Sequence, residues 1–228
     1  METPPQRLAM LYAEVKAFTH YLASLAPAAW HAPSACDQWQ VADVLAHLVP
    51  QADHLGVVIA RGLQGDLSPP AGVTPMDAHT AAQTAIADRA RLGDQLLATF
   101  IASHARLHTL LTGLGPQDWE TACFYPSGLS TVAELLNLYI TELTVHGWDM
   151  RSPLAPDFHL SVACLPTVIE TPFAPYGPCF AQKPSGTPIG CVPSAIAFSW
   201  PHPSKRPRIL SSTETMDTSS SGVRPRQT

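Results

Sequence analysis

The sequence contains no long uninterrupted apolar run, and this absence limits where the protein can act. A membrane-spanning helix needs about 18 consecutive, predominantly apolar residues, and no segment of this 228-residue chain provides them. The opening stretch METPPQRLAMLYAEV also lacks the basic, apolar and small-residue order of a signal peptide. We therefore expect a protein of the cytoplasm with no membrane partner.

Cysteine pairs and an excess of positive charge are also missing. The five cysteines are an odd number with no C-x-x-C pair, which argues against a disulfide framework and against a cysteine-based zinc site. The net charge of −5 and the pI near 6.0 provide nothing to attract a phosphate backbone, so we expect no nucleic-acid partner. Apolar residues make up 46% of the chain, which is enough for a sizeable core.

The first 150 residues contain four long stretches with apolar residues at helical spacing. No convincing alternating strand pattern accompanies them. Four amphipathic helices joined by loops are typical of a helical bundle, so we predict an all-α four-helix bundle over residues 6–154. The predicted helices cover about 6–25, a segment that begins after SACDQW, about 77–114, and about 130–150.

Several residues mark the predicted ends and weak points of the middle two helices. Ser34 or Asp37 is a plausible N-cap for the second helix, and Pro50 should kink that helix just past His47. The third pattern is the longest, and its apolar stripe is weakest at Asp88 and Arg89.

The start of the fourth helix has a clear capping signal. Ser130 or Thr131 can cap the first turn, with Glu134 answering from within it. Gly147 and Pro153 mark the far end.

The composition changes after Arg151. Twelve of the 23 prolines lie between Pro153 and Pro207, a density that excludes long helices and central strands. We predict a Pro-rich, mostly irregular extension over residues 155–200, with one short helix near 160–171 and one or two strands in GTPIGCVPSAIAFSW. Residues 201–228 end in a Ser/Thr/Arg-rich stretch with few apolar residues, so we expect a disordered tail.

The stretch ITELTVHGWDM places Glu142 and His146 four residues apart, on one face of the fourth helix. They can bind one metal ion together, and His47 is the best candidate for a third ligand because it lies mid-helix among apolar neighbours. Two imidazoles and one carboxylate form the open ligand set of catalytic zinc sites, and they also suit ferrous iron or nickel. The E-x-x-x-H spacing is common, so a half-exposed Glu–His pair at a helix end is an equal interpretation of these residues.

Three other histidines are candidates for a role at a site. His104 and His108 are also four apart, but without a carboxylate partner we expect a solvated helix face there. His54 follows His47 by seven residues on the same helix face. It can bind a cofactor, line a pocket, act as a base, or simply lie at the surface.

Residues near the two motifs have structural alternatives. Asp149 can accept a hydrogen bond from a ligating imidazole, but we favour an ion pair with Arg151. Cys36 has no base among its sequence neighbours, and we expect a buried, inert thiol. Trp39 and Trp148 are expected to pack in the core rather than to contact a substrate.

Two separated segments carry a resemblance to a known family. SACDQWQVADVLAHLV, followed after the third helix by TVAELLNLYITELTVHGWDM, resembles the mycothiol-dependent maleylpyruvate isomerase N-terminal family of DinB-like four-helix bundles. The resemblance covers about residues 8–154. It implies a divalent metal held by a histidine of the second helix and a Glu-x-x-x-His of the fourth, which correspond to His47, Glu142 and His146.

The resemblance also implies a chemistry. Mycothiol would be the thiol co-substrate, and its thiolate, formed at a divalent metal such as zinc, would attack a small electrophile as a thiol S-transferase or a maleylpyruvate isomerase. Members often continue into a small α/β domain that contributes basic residues, and KPSGTPIGCVPSAIAFSW resembles only its beginning. The alternatives are a non-catalytic metal-binding bundle, serving as a sensor, an interaction module or a degenerate family member, and a thiol-independent hydrolase.

Overall fold

The structure is a computed structural model that describes residues 2–36, 39–70, 78–126, 128–155 and 157–171. Four of its helices, α1, α2, α4 and α5, pack against one another and enclose the apolar core. The predicted all-α four-helix bundle is therefore confirmed. The helices are α1 Pro4–Ala23, α2 Val41–Leu63, α3 Ala78–Leu92, α4 Leu96–Thr112, α5 Val132–Arg151 and α6 Leu165–Glu170.

The first and fifth helices begin where their sequences allow the first turn to be capped. Helix α1 starts at Pro4. Proline suits the first turn because the N–H that it lacks would have no partner within the helix there. In α5, Thr131 Oγ1 accepts from the Glu134 backbone N–H at 3.2 Å, and the Thr131 N–H donates to Glu134 Oε2 at 2.8 Å. This reciprocal pair confirms the capping predicted for Thr131.

Helix α2 begins later than either predicted cap. Its N-cap is Gln40, whose backbone N–H donates to Asp43 Oδ2 at 2.9 Å. Ser34 is not the cap, because its hydroxyl donates to the Trp39 carbonyl at 2.9 Å within the preceding loop. Asp37 lies outside the described residues. The helix continues through Pro50 to its end at Leu63.

The third predicted helix is in fact two helices. Helices α3 and α4 are separated by a 3-10 turn over Gly93–Gln95, where Gly93 has a φ of +48°. A glycine in the left-handed region ends a helix at little cost, so the break falls here and not at Asp88 or Arg89. Arg89 instead anchors α3 to α2, since its Nε lies 3.0 Å from Asp43 Oδ1.

A β-hairpin precedes α5, and the prediction that this half contains no strands was wrong. Strands β1 Ala122–Tyr125 and β2 Gly128–Thr131 pair antiparallel, with Ala122 opposite Thr131. Each strand has four residues, too few for alternation to stand out in the sequence. Strand β1 packs against α2 and covers the C-terminal half of that helix.

The residues after the bundle form turns and then α6, which packs against α5. This agrees with the short helix expected near residues 160–171. The strands expected near residues 186–200 and the disordered tail lie outside the described residues, so those predictions and the domain boundaries stay predictions. None of the described helices is both long and apolar enough to span a membrane.

Candidate metal centre

Helices α2 and α5 bring three potential ligands together in the interior of the bundle. His47 lies on α2, and Glu142 and His146 lie on successive turns of α5. One ligand atom from each lies within 4.8 Å of the other two. All three side chains are buried, with 4% of His47 and 1% of the other two residues exposed. The half-exposed pair at a helix end is thus not what the structure shows.

The distances within this group suit a shared ion better than direct hydrogen bonds. Glu142 Oε2 lies 3.7 Å from His47 Nε2 and 3.5 Å from His146 Nε2, beyond the usual hydrogen-bond range. Two ligand atoms that each lie about 2.1 Å from a tetrahedral zinc ion are about 3.4 Å apart. Within the described part of the chain, His47 Nε2 and both carboxylate oxygens of Glu142 have no hydrogen-bond partner. Buried polar atoms are rarely left so, and a bound cation would satisfy them.

The pKa shifts of the group follow from its burial and from the contacts between its imidazoles and carboxylates. Burial lowers the pKa of His47. Burial raises the pKa of Glu142, but the two imidazoles outweigh it and the net pKa lies below its usual value. Burial also lowers the pKa of His146, yet its contacts, that with Asp149 foremost, raise it well above normal. Two buried carboxylates therefore draw a cation to this place, which a divalent metal ion can supply in place of a proton.

Asp149 orients His146 from behind. Its Oδ2 lies 2.9 Å from His146 Nδ1, which keeps Nε2 of that ring turned toward Glu142. The preferred pairing of Asp149 with Arg151 was wrong. The Arg151 guanidinium instead lies over aromatic rings, 4.7 Å from the ring centres of both Tyr21 and Phe158.

Cys36 lies beside Asp149 and His146, on the side of the His146 ring away from Glu142. Its thiol is buried and donates to Asp149 Oδ2 at 3.1 Å, with Sγ 3.8 Å from His146 Nδ1. Burial raises the pKa of Cys36 to about 11, so the thiol stays protonated at neutral pH, as expected for an inert side chain. Cys36, His146 and Asp149 form a second group able to hold an ion. Cys36 and His146 already bond to Asp149 Oδ2, so the His47 group is the better metal site.

The prediction of a solvated face at His104 and His108 was wrong for His104. His104 is buried, its Nδ1 lies 2.8 Å from the Phe100 carbonyl, and its Nε2 lies 2.6 Å from the Tyr139 hydroxyl. Because a carbonyl only accepts, Nδ1 carries the proton and Nε2 accepts from Tyr139. His108 is half-buried and stacks on Tyr12. Both line one small cavity between α1 and α4, and neither belongs to a group of potential metal ligands among the described residues.

His54 lies half-buried in a cleft, about two turns along α2 from His47, with Gln51 and Tyr139 among its neighbours there. Burial lowers its pKa. The structure thus favours a pocket-lining position over a plain surface position, and its cofactor-binding role stays a prediction. Trp39 is buried with its ring centre 5.2 Å from that of His47, so it packs as a wall of the centre.

Sequence reasoning missed Gln51 and Tyr139, and it gave the contact of Asp149 with a ligating imidazole only as the less favoured alternative. Each lies three or four residues from a predicted ligand on the same helix, so helical spacing places it on or near the ligand face. That spacing is the signal that was available. The bond between Tyr139 and His104 joins different helices and had no local signal.

The fold and this cluster define a helical bundle with a buried group of two histidines and a carboxylate that can hold a metal ion. The sequence also identifies the family. The chain belongs to the mycothiol maleylpyruvate isomerase N-terminal domain family, whose model matches residues 11–151. The resemblance inferred from the sequence is thereby confirmed.

Solved structures agree with this assignment at the level of the fold. A mycothiol-dependent maleylpyruvate isomerase superposes with a TM-score of 0.60 and 16% identity, covering 73% of this chain and 68% of that one. A histidine-to-alanine mutant of such an isomerase gives a TM-score of 0.56 and 19% identity, covering 65% and 61%. The match thus spans about three fifths to two thirds of those isomerase chains. No curated protein matches this chain significantly.

Proposed function

We propose that this protein is a metal-dependent thiol S-transferase or an isomerase of the maleylpyruvate type, with zinc as the ion and mycothiol as the thiol. The observation that carries the proposal is the buried His47–Glu142–His146 group, whose spacing fits one ion. Membership of a family named for a mycothiol-dependent isomerase supports the choice of thiol.

Some side chains would hold the ion, and others orient the ligands or pack over them. His47, Glu142 and His146 would hold the ion through two nitrogens and one oxygen, a set that leaves a position for an exogenous ligand. When bound, a divalent ion supplies positive charge that lowers the pKa of a nearby thiol. Asp149 keeps the His146 Nδ1 proton in place, and Trp39 covers the His47 ring.

Cys36 is not the nucleophile in this proposal. Cys36 remains a thiol at neutral pH because burial raises its pKa to about 11. The co-substrate sulfur would instead form the bond to carbon, while its proton passes to solvent. In a transfer reaction the leaving group departs with the bonding electrons. In an isomerisation the thiol adds to a cis double bond, the resulting single bond rotates, and elimination returns the thiol and the trans product.

Conjugation of a fluorogenic electrophile tests this function. Protein loaded with zinc, mixed with mycothiol and monochlorobimane, is expected to form the conjugate faster than the uncatalysed reaction. His47→Ala should abolish the enhancement and the bound zinc, whereas His20→Ala, which changes an exposed histidine of α1, should preserve both. Equal rates for the protein and His47→Ala would refute the proposed role of the centre.

A non-catalytic metal-binding module is the second candidate. The match spans 61% and 68% of the isomerase chains, and a substrate site that needs a further domain is incomplete in the bundle alone. This candidate predicts stoichiometric zinc that depends on His47, with no conjugation of any electrophile. Turnover without added thiol would instead indicate hydrolysis.

A further inference from the structure

The indole N–H of Trp39 is a buried donor without an acceptor. Trp39 is 7% exposed, and its Nε1 has no hydrogen-bond partner within the described part of the chain. An indole nitrogen can only donate, and a buried one usually has an acceptor. Asp149 Oδ1 is also buried without a partner, so these two groups do not pair with each other. An acceptor from outside the chain would therefore satisfy Trp39.

The Trp39 ring packs beside both imidazoles of the metal-binding group. Its centre lies 5.2 Å from the centre of the His47 ring and 6.2 Å from that of the His146 ring. The two imidazole centres are themselves 5.0 Å apart. The three rings are thus mutual neighbours, and a molecule that binds next to both imidazoles also lies near the indole.

A metal ion by itself leaves the Trp39 N–H without an acceptor. A cation would satisfy His47 Nε2 and the Glu142 oxygens, which offer it lone pairs, but it repels the positive end of the indole N–H dipole. The three-ligand set leaves a position open for an exogenous ligand. An atom that carries negative charge and several lone pairs can bind the ion there and also accept from Trp39. A thiolate sulfur is such an atom.

We propose that Trp39 donates its Nε1–H to the sulfur of the thiol co-substrate and so favours the thiolate over the thiol in the centre. A hydrogen bond to a charged acceptor is stronger than one to a neutral acceptor. The inference rests on the proposed function, and it applies to transfer and isomerisation alike because the same sulfur attacks carbon in both. The thiol proton passes to solvent, the sulfur electron pair forms the S–C bond, and Trp39 keeps its proton throughout. Trp39 thus has a role beyond the core packing expected from the sequence.

Two small ligands that differ in their spare lone pairs test the proposal. 2-Mercaptoethanol binds a metal ion through a thiolate sulfur, which keeps lone pairs for Trp39. Imidazole binds through its one basic lone pair, so it cannot also accept from Trp39. In fully cobalt-loaded protein, the absorption spectrum of the ion reports the binding of either ligand. Trp39→Phe should raise the Kd of 2-mercaptoethanol by about tenfold, the effect of one hydrogen bond to a charged atom, and leave the Kd of imidazole unchanged.

Trp119→Phe is the matched control for this substitution. It removes another buried indole, one that lies in the 3-10 turn Asp118–Glu120 before β1, and it should change neither Kd. Equal weakening of both ligands by Trp39→Phe would show that the Trp39 ring acts only through packing. Unchanged binding of both would show that its N–H does not contact the sulfur. Either result would overturn the proposal.

NMR of the unmodified, zinc-loaded protein detects the hydrogen bond directly. The five tryptophans give five indole N–H signals, and that of Trp39 is identified by its nuclear Overhauser contacts with the His47 ring. Addition of 2-mercaptoethanol should move this signal downfield and slow its exchange with solvent, whereas an unmoved signal would contradict the proposal. If the signal moves but mycothiol and monochlorobimane are not conjugated, the contact of Trp39 with sulfur is supported and the transferase function is wrong.

Discussion

Zinc should stabilise this protein through His47, and the size of the effect follows from the zinc concentration relative to Kd. A ligand at about 1,000 times its Kd stabilises the folded state by about 4 kcal/mol. For a chain of this size each kcal/mol raises Tm by about 2–4 °C, so zinc should raise Tm by about 8–16 °C.

His47→Gln is the perturbation that isolates this effect. His47 Nε2 makes no hydrogen bond within the described residues, so the substitution removes none at that atom. We expect the metal-free variant to lie within about 1 kcal/mol of the unmodified protein. Loss of one ligand should weaken zinc binding by about 100-fold, the upper end of what outer partners cost. At the same zinc concentration about 1.4 kcal/mol then remains, which gives a shift of about 3–6 °C.

The assay is thermal unfolding followed by circular dichroism, with and without zinc, together with the metal content of the dialysed protein. His20→Gln is the matched control, because this histidine is exposed on α1 and far from the centre in sequence. It should keep the full zinc-induced shift. If zinc raises the Tm of the unmodified protein and of His47→Gln equally, the three side chains do not share an ion and the reasoning fails.

Three further predictions concern the support of the centre, pH and packing. Asp149→Asn should weaken zinc binding by about 10–100-fold, because it removes the carboxylate that orients the His146 ring. Competition with a chelator measures this affinity, and an unchanged affinity would contradict the role of Asp149. Burial lowers the pKa of His104 to about 4, so between pH 6.5 and 4 the unfolded state binds the additional proton and stability falls by about 3 kcal/mol as the pH falls. Urea unfolding should show that His104→Gln removes this part of the pH dependence, and an unaltered profile would refute it. Gly62→Ala should lower the free energy of unfolding by about 1–3 kcal/mol, because the added Cβ would lie 2.5 Å from Cys123 Sγ. Gly56→Ala is the control, since nothing lies within 4 Å of its added Cβ. In the same assay it should raise the free energy of unfolding by up to about 1 kcal/mol.

Local signals were enough to predict the helices that carry the candidate ligands. The cap at Thr131 and the four-residue spacing of Glu142 and His146 both depend on one helical turn, which a sequence displays directly. The choice of His47 required only that a buried imidazole have a polar partner. The predicted cap and helices are confirmed because each depends on a single helix and its apolar face, whereas the role of His47 as a ligand stays a prediction.

The errors occurred where distant residues decide the outcome. His104 appeared solvated because its partner Tyr139 lies on another helix, and no local pattern shows that contact. Asp149 was assigned to Arg151, two residues away, but successive positions on a helix point in different directions. The rings of Tyr21 and Phe158 that surround Arg151 come from separate parts of the chain. Tertiary packing thus decided both cases.

The arrangement of the site separates the proposed metal chemistry from the contacts that an electrophile would make in the cleft beside His54. The ligands lie in the interiors of α2 and α5, where helix geometry fixes their spacing. One wall of the cleft comes from the hairpin, through Phe124 and Tyr125, and a short hairpin can change sequence without moving either helix. In the proposed function, substitutions at Phe124 should therefore alter kcat/KM among electrophiles while zinc affinity stays constant. If Phe124→Ala changed zinc affinity as strongly as it changed selectivity, the centre and the cleft would be one coupled unit and this division would be wrong.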